Sequence, residues 1–444
     1  MPPLTEEFVL PAAESKPSVT SSKSGKTAGY IDLLATLADQ GIVSFANFAV
    51  IVLIGRSLGP SLLGSFTLLW SVALFLNVVQ QSFFVAPMLT LRSKFDDEER
   101  LTYLSGVTRM QFIFAFLASL LVSFGFGVAA HFAEHAGILR TCALPLGVAC
   151  AAFQMQEFCR RLLQACRHLL ISLISDLLTY GLQLGLLWIA LDRHTGLNGV
   201  LWSMAAAWGV GCGFLLAAAG ILRSKPAPVE LIVKSHARFG SALAASSLFQ
   251  WIGAYGALYI AAAALNASAI GNIRAVINLV APLNVFAVGI QTYVSIEAAE
   301  RFQRSGVDAM QRFLRGTTLQ FISLGLAGGL LFGAFSKRFL ALLFGPAFTI
   351  SHIWLLVAFA QVLLGAMFGF LVVYFKTVER TSFAALSAGI ATLLSLPATK
   401  LLLPSLASGA VFVSLIMNQA CAFILAILLI AKTRPGTILH ELEY

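Results

Sequence analysis

Charge is what this chain has least of. Only 11% of its 444 residues are Asp, Glu, Lys or Arg, where soluble domains run near a quarter. So few charges cannot solvate a globular surface of this size, and most of that surface must face lipid. Catalytic signatures are missing as well. There is no HExxH, no GxSxG and no phosphate-binding Walker sequence, which speaks against zinc hydrolysis, serine hydrolysis and nucleotide-driven transport. Energy for any transport must then come from an ion gradient, a substrate gradient or a partner. The six cysteines, Cys142, Cys150, Cys159, Cys166, Cys212 and Cys421, form no CxxC pair and lie in or beside apolar segments. They read as buried thiols rather than a metal or redox centre, so no metal and no cofactor is expected. No cleavable signal peptide is evident. Residues 1–28 are rich in Pro, Ser and Lys and are expected to form a disordered cytoplasmic tail.

What the chain has in quantity is apolar length, 58% of it hydrophobic. A spanning helix needs about 20 mostly apolar residues. Twelve candidate spans follow, over 35–55, 64–90, 109–131, 138–158, 169–191 and 197–222, then 241–264, 269–296, 317–335, 350–375, 383–402 and 408–431. The expected fold is therefore an all-α integral membrane protein of about 12 transmembrane helices in two six-helix lobes around a central cavity. The N-lobe takes 30–222, a cytoplasmic linker 223–240, the C-lobe 241–432 and a cytoplasmic C-terminal tail 433–444. Connections are short, which argues against enzymes that carry a large extracytoplasmic loop.

Orientation follows from the basic residues. Of 29 Lys and Arg, only Arg56, Arg140, Arg193, Lys337, Arg338 and Lys400 fall on the side opposite the N-terminus, and Arg274 lies within a span. The remainder mark the cytoplasmic side, with both termini inside. Because these basic residues come in short clusters between apolar runs, the net charge of +9 reads as topology and anionic-lipid contact, not as a nucleic-acid face. Membrane lipids are partners; nucleic acid is not.

The halves resemble each other. Gln81-Ser82-Phe83 in the second span matches Gln291-Thr292-Tyr293 in the eighth, and Gly199-Val200-Leu201-Trp202-Ser203 matches Gly409-Ala410-Val411-Phe412-Val413-Ser414. Six spans per half make the repeats parallel, and substrate sites of repeat transporters lie at the repeat interface.

A charged side chain in hydrocarbon costs about 2.5–3.5 kcal/mol on insertion scales, so each one needs a reason. Arg274 lies a few residues into the eighth span from its outer end, with Asn278 one turn on and Pro282 beyond. Its guanidinium suits a diphosphate, to which it can donate two parallel hydrogen bonds; the plainer alternatives are snorkelling to the interface or pairing with an acid. Asp39 and Asp176 lie in the inner parts of the first and fifth spans. Each either binds a coupling proton or cation or neutralises an inner-loop Arg. Trp70, Asn77, Gln80 and Gln81 share roughly one face of the second span, Gln250 and Tyr255 lie in the seventh, Asn284 and Gln291 in the eighth, Asn418 and Gln419 in the twelfth. Such groups join helices or line an aqueous lumen. Their concentration in the first, second, seventh and eighth spans suggests one lumen holding Arg274, Asn278, Asn77, Gln81 and Gln250.

Three landmarks carry a family resemblance: Gly55-Arg56-Ser57-Leu58-Gly59-Pro60 with Gly64; the inner loop from Glu157 to Arg167 followed by Asp176; and Gly271-Asn272-Ile273-Arg274-Ala275 with Pro282. Their order over 30–432 resembles Wzx-type polysaccharide flippases of the multidrug/oligosaccharidyl-lipid/polysaccharide (MOP) exporter superfamily. The resemblance implies a V-shaped, non-enzymatic carrier of the bacterial inner membrane. Its cargo would be a polyprenyl-diphosphate-linked oligosaccharide moved to the periplasmic leaflet for surface polysaccharide, exopolysaccharide or O-antigen, with polymerase or export machinery as partners. Arg274 matches a diphosphate-receiving position. Arg160, Arg161 and Arg167 would face the cytoplasmic mouth, gathering anionic head groups or serving only topology, and Arg56 would hold its loop. Three rivals remain: a drug or metabolite exporter of the superfamily, which should show several lumen acids; a membrane glycan polymerase or ligase, which should show a long outer loop; and a secretion-complex scaffold.

Overall fold

A computed structural model of the chain describes residues 23–92, 95–132, 136–166, 168–219, 224–378 and 380–432. Arg167, residues 1–22 of the expected N-terminal tail, residue 223 and the tail over 433–444 lie outside the described residues. Within them every regular element is helical. The stretch Lys23–Gln80 breaks at Gly59 (φ 78°, ψ 176°), and Ala267–Phe344 breaks at Gly306 (φ 76°, ψ −174°). Such backbone costs a side-chain-bearing residue dearly and glycine little. Divided there, the helices are α1 (23–58), α2 (60–91, with a π-helical turn at Gln81–Val85), α3 (Asp97–Phe132), α4 (Ala136–Ala165), α5 (Leu169–Asp192) and α6 (Gly196–Ala219). The second half holds α7 (Val229–Ala262), α8 (267–305), α9 (307–344), α10 (His352–Thr377), α11 (Thr381–Leu406) and α12 (Gly409–Lys432).

All of these except α7 belong to stretches long and apolar enough to cross a membrane. With 34 residues α7 is long enough, but Ser241, Ser246, Ser247, Gln250, Tyr255 and Tyr259 dilute its apolar residues. The span expected over 241–264 is helical, within α7.

The halves have separate cores at the basic end, except that Ala227 and Ile232, beside and within the start of α7, pack into a first-half cluster. Val294, Met310, Phe370 and Tyr374 belong to a cluster drawn only from the second half, near the end where the basic loops lie. At the opposite end the cores merge: Ala275, Leu340, Phe344 and Phe348 join Val50, Ile54, Leu63 and Phe66. The reason is close backbone approach. A Cβ at Gly64 would strike the Ala267 carbonyl, and one at Gly271 would strike the Pro60 carbonyl. The first turns of α2 and α8 therefore cross through two reciprocal contacts, as a two-fold relation between repeats would give. Arg56 donates to the Leu342 carbonyl beside this crossing, and Phe344 packs where a Gly55 side chain would stand. Gly325 and Gly329 likewise admit Leu363 and Phe359 of α10 against α9.

Prolines leave carbonyls for tertiary bonds, because each lacks the N–H due to the residue four earlier. Pro145 leaves the Thr141 carbonyl, which accepts from Asn198 at 2.7 Å. Pro87 leaves that of Phe83, in the π-helical turn, which accepts from His236 Nδ1 at 2.8 Å. His236 Nε2 then accepts from the Tyr103 hydroxyl at 2.7 Å. With Ala227 N–H donating to the Thr102 carbonyl, these bonds fasten the start of α7 to the first half at the basic end.

Candidate functional site

The seam between the halves is closed by the α2–α8 crossing at one end. At the basic end it is spanned by the start of α7, while inner residues of α8 such as Phe286 and Tyr293 stay 66% and 63% exposed. Between these ends lies a narrow crevice, roomy enough for about one water molecule, assembled from four helices, with Ile51 of α1, Phe66, Thr67, Trp70 and Leu74 of α2, Tyr255 of α7 and Arg274 of α8. Trp70 is held by a stack against Phe66 (6.1 Å) and Trp208 (5.2 Å) in the first-half core. Arg274 is half-buried. Its Nε is sealed from solvent, and among the described residues the side chain has no hydrogen-bond or ion-pair partner. A guanidinium kept without an acid leaves its donors available to an anion.

The amides expected in the lumen divide. Asn278, 4% exposed, donates to the Phe48 carbonyl at 3.2 Å and ties α8 to α1. Asn77 donates to Gln80 Oε1 (3.1 Å), and Gln80 donates in turn to the Gln154 carbonyl inside the first half. Gln81 is part-exposed in the π-helical turn and Gln250 is exposed on α7. Gln291 donates to the Ala366 carbonyl, and Asn418 donates to Thr392 and Ser395, so both join helices.

Asp39 and Asp176 sit elsewhere. Arg160 Nη1 lies 3.1 Å from Asp39 and 3.6 Å from Asp176, while Nη2 meets Glu157 at 2.9 Å. Gln164 donates to Asp39 and Gln156 to Asp176. Arg160, 3% exposed, is therefore turned into the first half rather than toward a cytoplasmic mouth, because three carboxylates draw it inward. Arg161 donates to Gln164 at the edge of the same group. Among the described residues no three His, Cys, Asp or Glu side chains are placed to hold a metal ion. The six cysteines are unpaired thiols, buried or half-buried.

Two groups escaped the sequence reading. Glu157 completes the cluster around Arg160; its i to i+3 spacing was the available signal. Aromatic rings also gather on the seam: Trp251 lies 5.1 Å from Phe75 of α2, 5.6 Å from Tyr255 and 6.1 Å from Tyr259. Their four-residue spacing along one helix announced a shared face.

No family model and no curated protein matches the chain. Solved structures do. A multidrug-resistance MATE transporter of the MOP superfamily, in an inward-facing conformation, aligns with TM-score 0.73 at 13% identity, over 90% of this chain and 95% of that one. The lipid II flippase MurJ, in an inward closed conformation, aligns with TM-score 0.69 at 12% identity, over 92% and 89%. This chain has the MOP transporter fold. A third structure with that fold, a MOP-superfamily transporter from Pyrococcus furiosus described as having a binding pocket of reversed polarity, aligns with TM-score 0.56 at 14% identity, over 91% and 94%. These neighbours are carriers, not enzymes, and the transporter fold is a multi-pass membrane fold. They bear out the all-helical transporter fold expected from the sequence.

Proposed function

We propose that the chain is an alternating-access flippase for a polyprenyl-diphosphate-linked oligosaccharide in the bacterial cytoplasmic membrane. The observation that carries this reading is Arg274, a cation without a protein partner among the described residues, held at the seam of the two halves. A diphosphate supplies the missing acceptors and a planar match for the guanidinium. The half-merged core supports an inward-open state, closed at the α2–α8 crossing and open toward the basic end. The head group enters from the cytoplasmic side while the polyprenyl tail stays in lipid, and rocking of the halves presents it outside. A hydrated seam spares the diphosphate the prohibitive cost of bare hydrocarbon. MurJ, named as a flippase of lipid II, shows that the same fold serves a lipid-linked cargo.

Coupling falls to the first-half cluster. One guanidinium facing Asp39, Glu157 and Asp176 leaves carboxylate capacity for a proton, whose arrival would alter how α1, α4 and α5 pack. Export of organic cations is the weaker reading, since these acids face Arg160 and not the Arg274 pocket.

The test is a strain lacking the protein. Lipid-linked repeat units should accumulate on the cytoplasmic leaflet, and Arg274→Ala should reproduce the block while still inserting. Normal export by that variant would remove Arg274 from the site and this reading with it.

A further inference from the structure

The seam holds aromatic rings in two different settings. In the first, Trp208 is 1% exposed and stacks on Trp70 within a filled core; such rings are packing. In the second, Trp251, Tyr255 and Phe75 are only half-buried and Tyr259 is 38% exposed, although they face one another across the two halves. Trp251 and Tyr255 lie nearly parallel, with an interplanar angle of 27°. Tyr259 is fixed by its hydroxyl, 2.5 Å from Ser71 Oγ and 3.3 Å from the Leu68 carbonyl. Trp251 Nε1 is sealed from solvent and has no hydrogen-bond partner among the described residues. Tyr255 also borders the pocket that holds Arg274.

Partly exposed rings packed on one another, an indole N–H without an acceptor and a neighbouring guanidinium without an acid make up chemistry suited to a glycosyl phosphate. The C–H face of a pyranose is weakly positive and settles on the negative face of an aromatic ring. Hydroxyls at its edge accept from an indole, and the phosphate takes the guanidinium. We propose that Trp251, Tyr255 and Tyr259, with Phe75, form a sugar-stacking platform beside Arg274, so that the chain selects a cargo whose first sugars follow directly on its anionic group. This rests on Arg274 as the anion anchor of the proposed function and adds that selectivity for the glycan resides in α7.

The test compares two probes on the full-length protein in lipid nanodiscs: farnesyl diphosphate, and farnesyl diphosphate carrying an N-acetylglucosamine disaccharide. The glycosylated probe should bind the native protein about two- to tenfold more tightly than the bare one, the range one stacked ring supplies. Trp251→Ala should bring that ratio close to one, Trp251→Phe should keep most of it, and Arg274→Gln should weaken both probes together. An unchanged ratio in a folded Trp251→Ala protein, or equal binding of both probes to the native protein, overturns the platform while leaving the flippase reading in place. Failure of Arg274→Gln to weaken either probe, or no binding of either probe to the native protein, removes the anchor and the platform together.

Discussion

Arg160 and Arg274 carry the same side chain and opposite predictions. Arg160 is enclosed by three carboxylates, so Arg160→Met would strand buried negative charge and should destabilise the protein by about 3–5 kcal/mol. In detergent that appears as a large loss of melting temperature, and adding Asp39→Asn and Asp176→Asn should recover much of it. Arg274 has no such partners among the described residues; Arg274→Gln should leave the melting temperature within a few degrees and abolish glycan export, while Arg274→Lys, unable to bond in bidentate fashion, should retain partial export. A melting loss for Arg274→Gln as large as that for Arg160→Met would assign Arg274 a structural role. Sequence could mark Arg274 as costly, since it sits within an apolar span, but placed Arg160 in an inner loop. It could not tell which was paired, because the partners of Arg160 lie up to 121 residues away and only folding brings α1, α4 and α5 together.

Single helices carry the closing surfaces. The α2–α8 crossing leaves no room for a Cβ at Gly64 or Gly271, so Gly64→Val or Gly271→Val should hold that end apart. Cysteines introduced at Ser61 and Ser268 should then cross-link in the native background and not in the valine variants; cross-linking in all of them would deny the crossing a gating role. The start of α7 is fastened through His236, whose imidazole burial pushes below its ordinary range against the opposing pull of the Phe83 carbonyl. A base with a lowered pKa is neutral when docked, and the undocked form binds protons first. Docking should therefore be complete above about pH 6.5, the ordinary histidine value, and weaken as pH falls below it. Hydrogen exchange over 229–240 should quicken in acid, and His236→Gln should flatten that response. The helices themselves were plain in the sequence, because apolar length sets them. Pro87 was visible too, but its consequence was not: a carbonyl freed in a π-helical turn becomes a latch only when another helix brings a donor.

At the scale of the molecule, two halves with separate cores at one end and a merged core at the other make a vessel open on one side. Repeated motifs and short loops pointed in the sequence to two halves, and the same reading expected Asn77, Asn278 and Gln250 to share one lumen with Arg274. The structure commits Asn278 to a neighbouring helix and gives the Arg274 pocket to aromatic rings instead. Amides are ambiguous in sequence because interhelical bonds and wet linings use the same residues. The central claim is that the seam around Arg274 is a wet passage reached from the basic end. Accessibility of a cysteine at Leu74, a half-buried residue lining the Arg274 pocket, in a protein stripped of its native cysteines, tests it most directly. In sealed vesicles a membrane-impermeant maleimide should label Leu74→Cys from the cytoplasmic face, not from the opposite face, and a lipid-linked glycan should protect it. Failure to label from either face, or labelling that the glycan leaves untouched, would contradict the account.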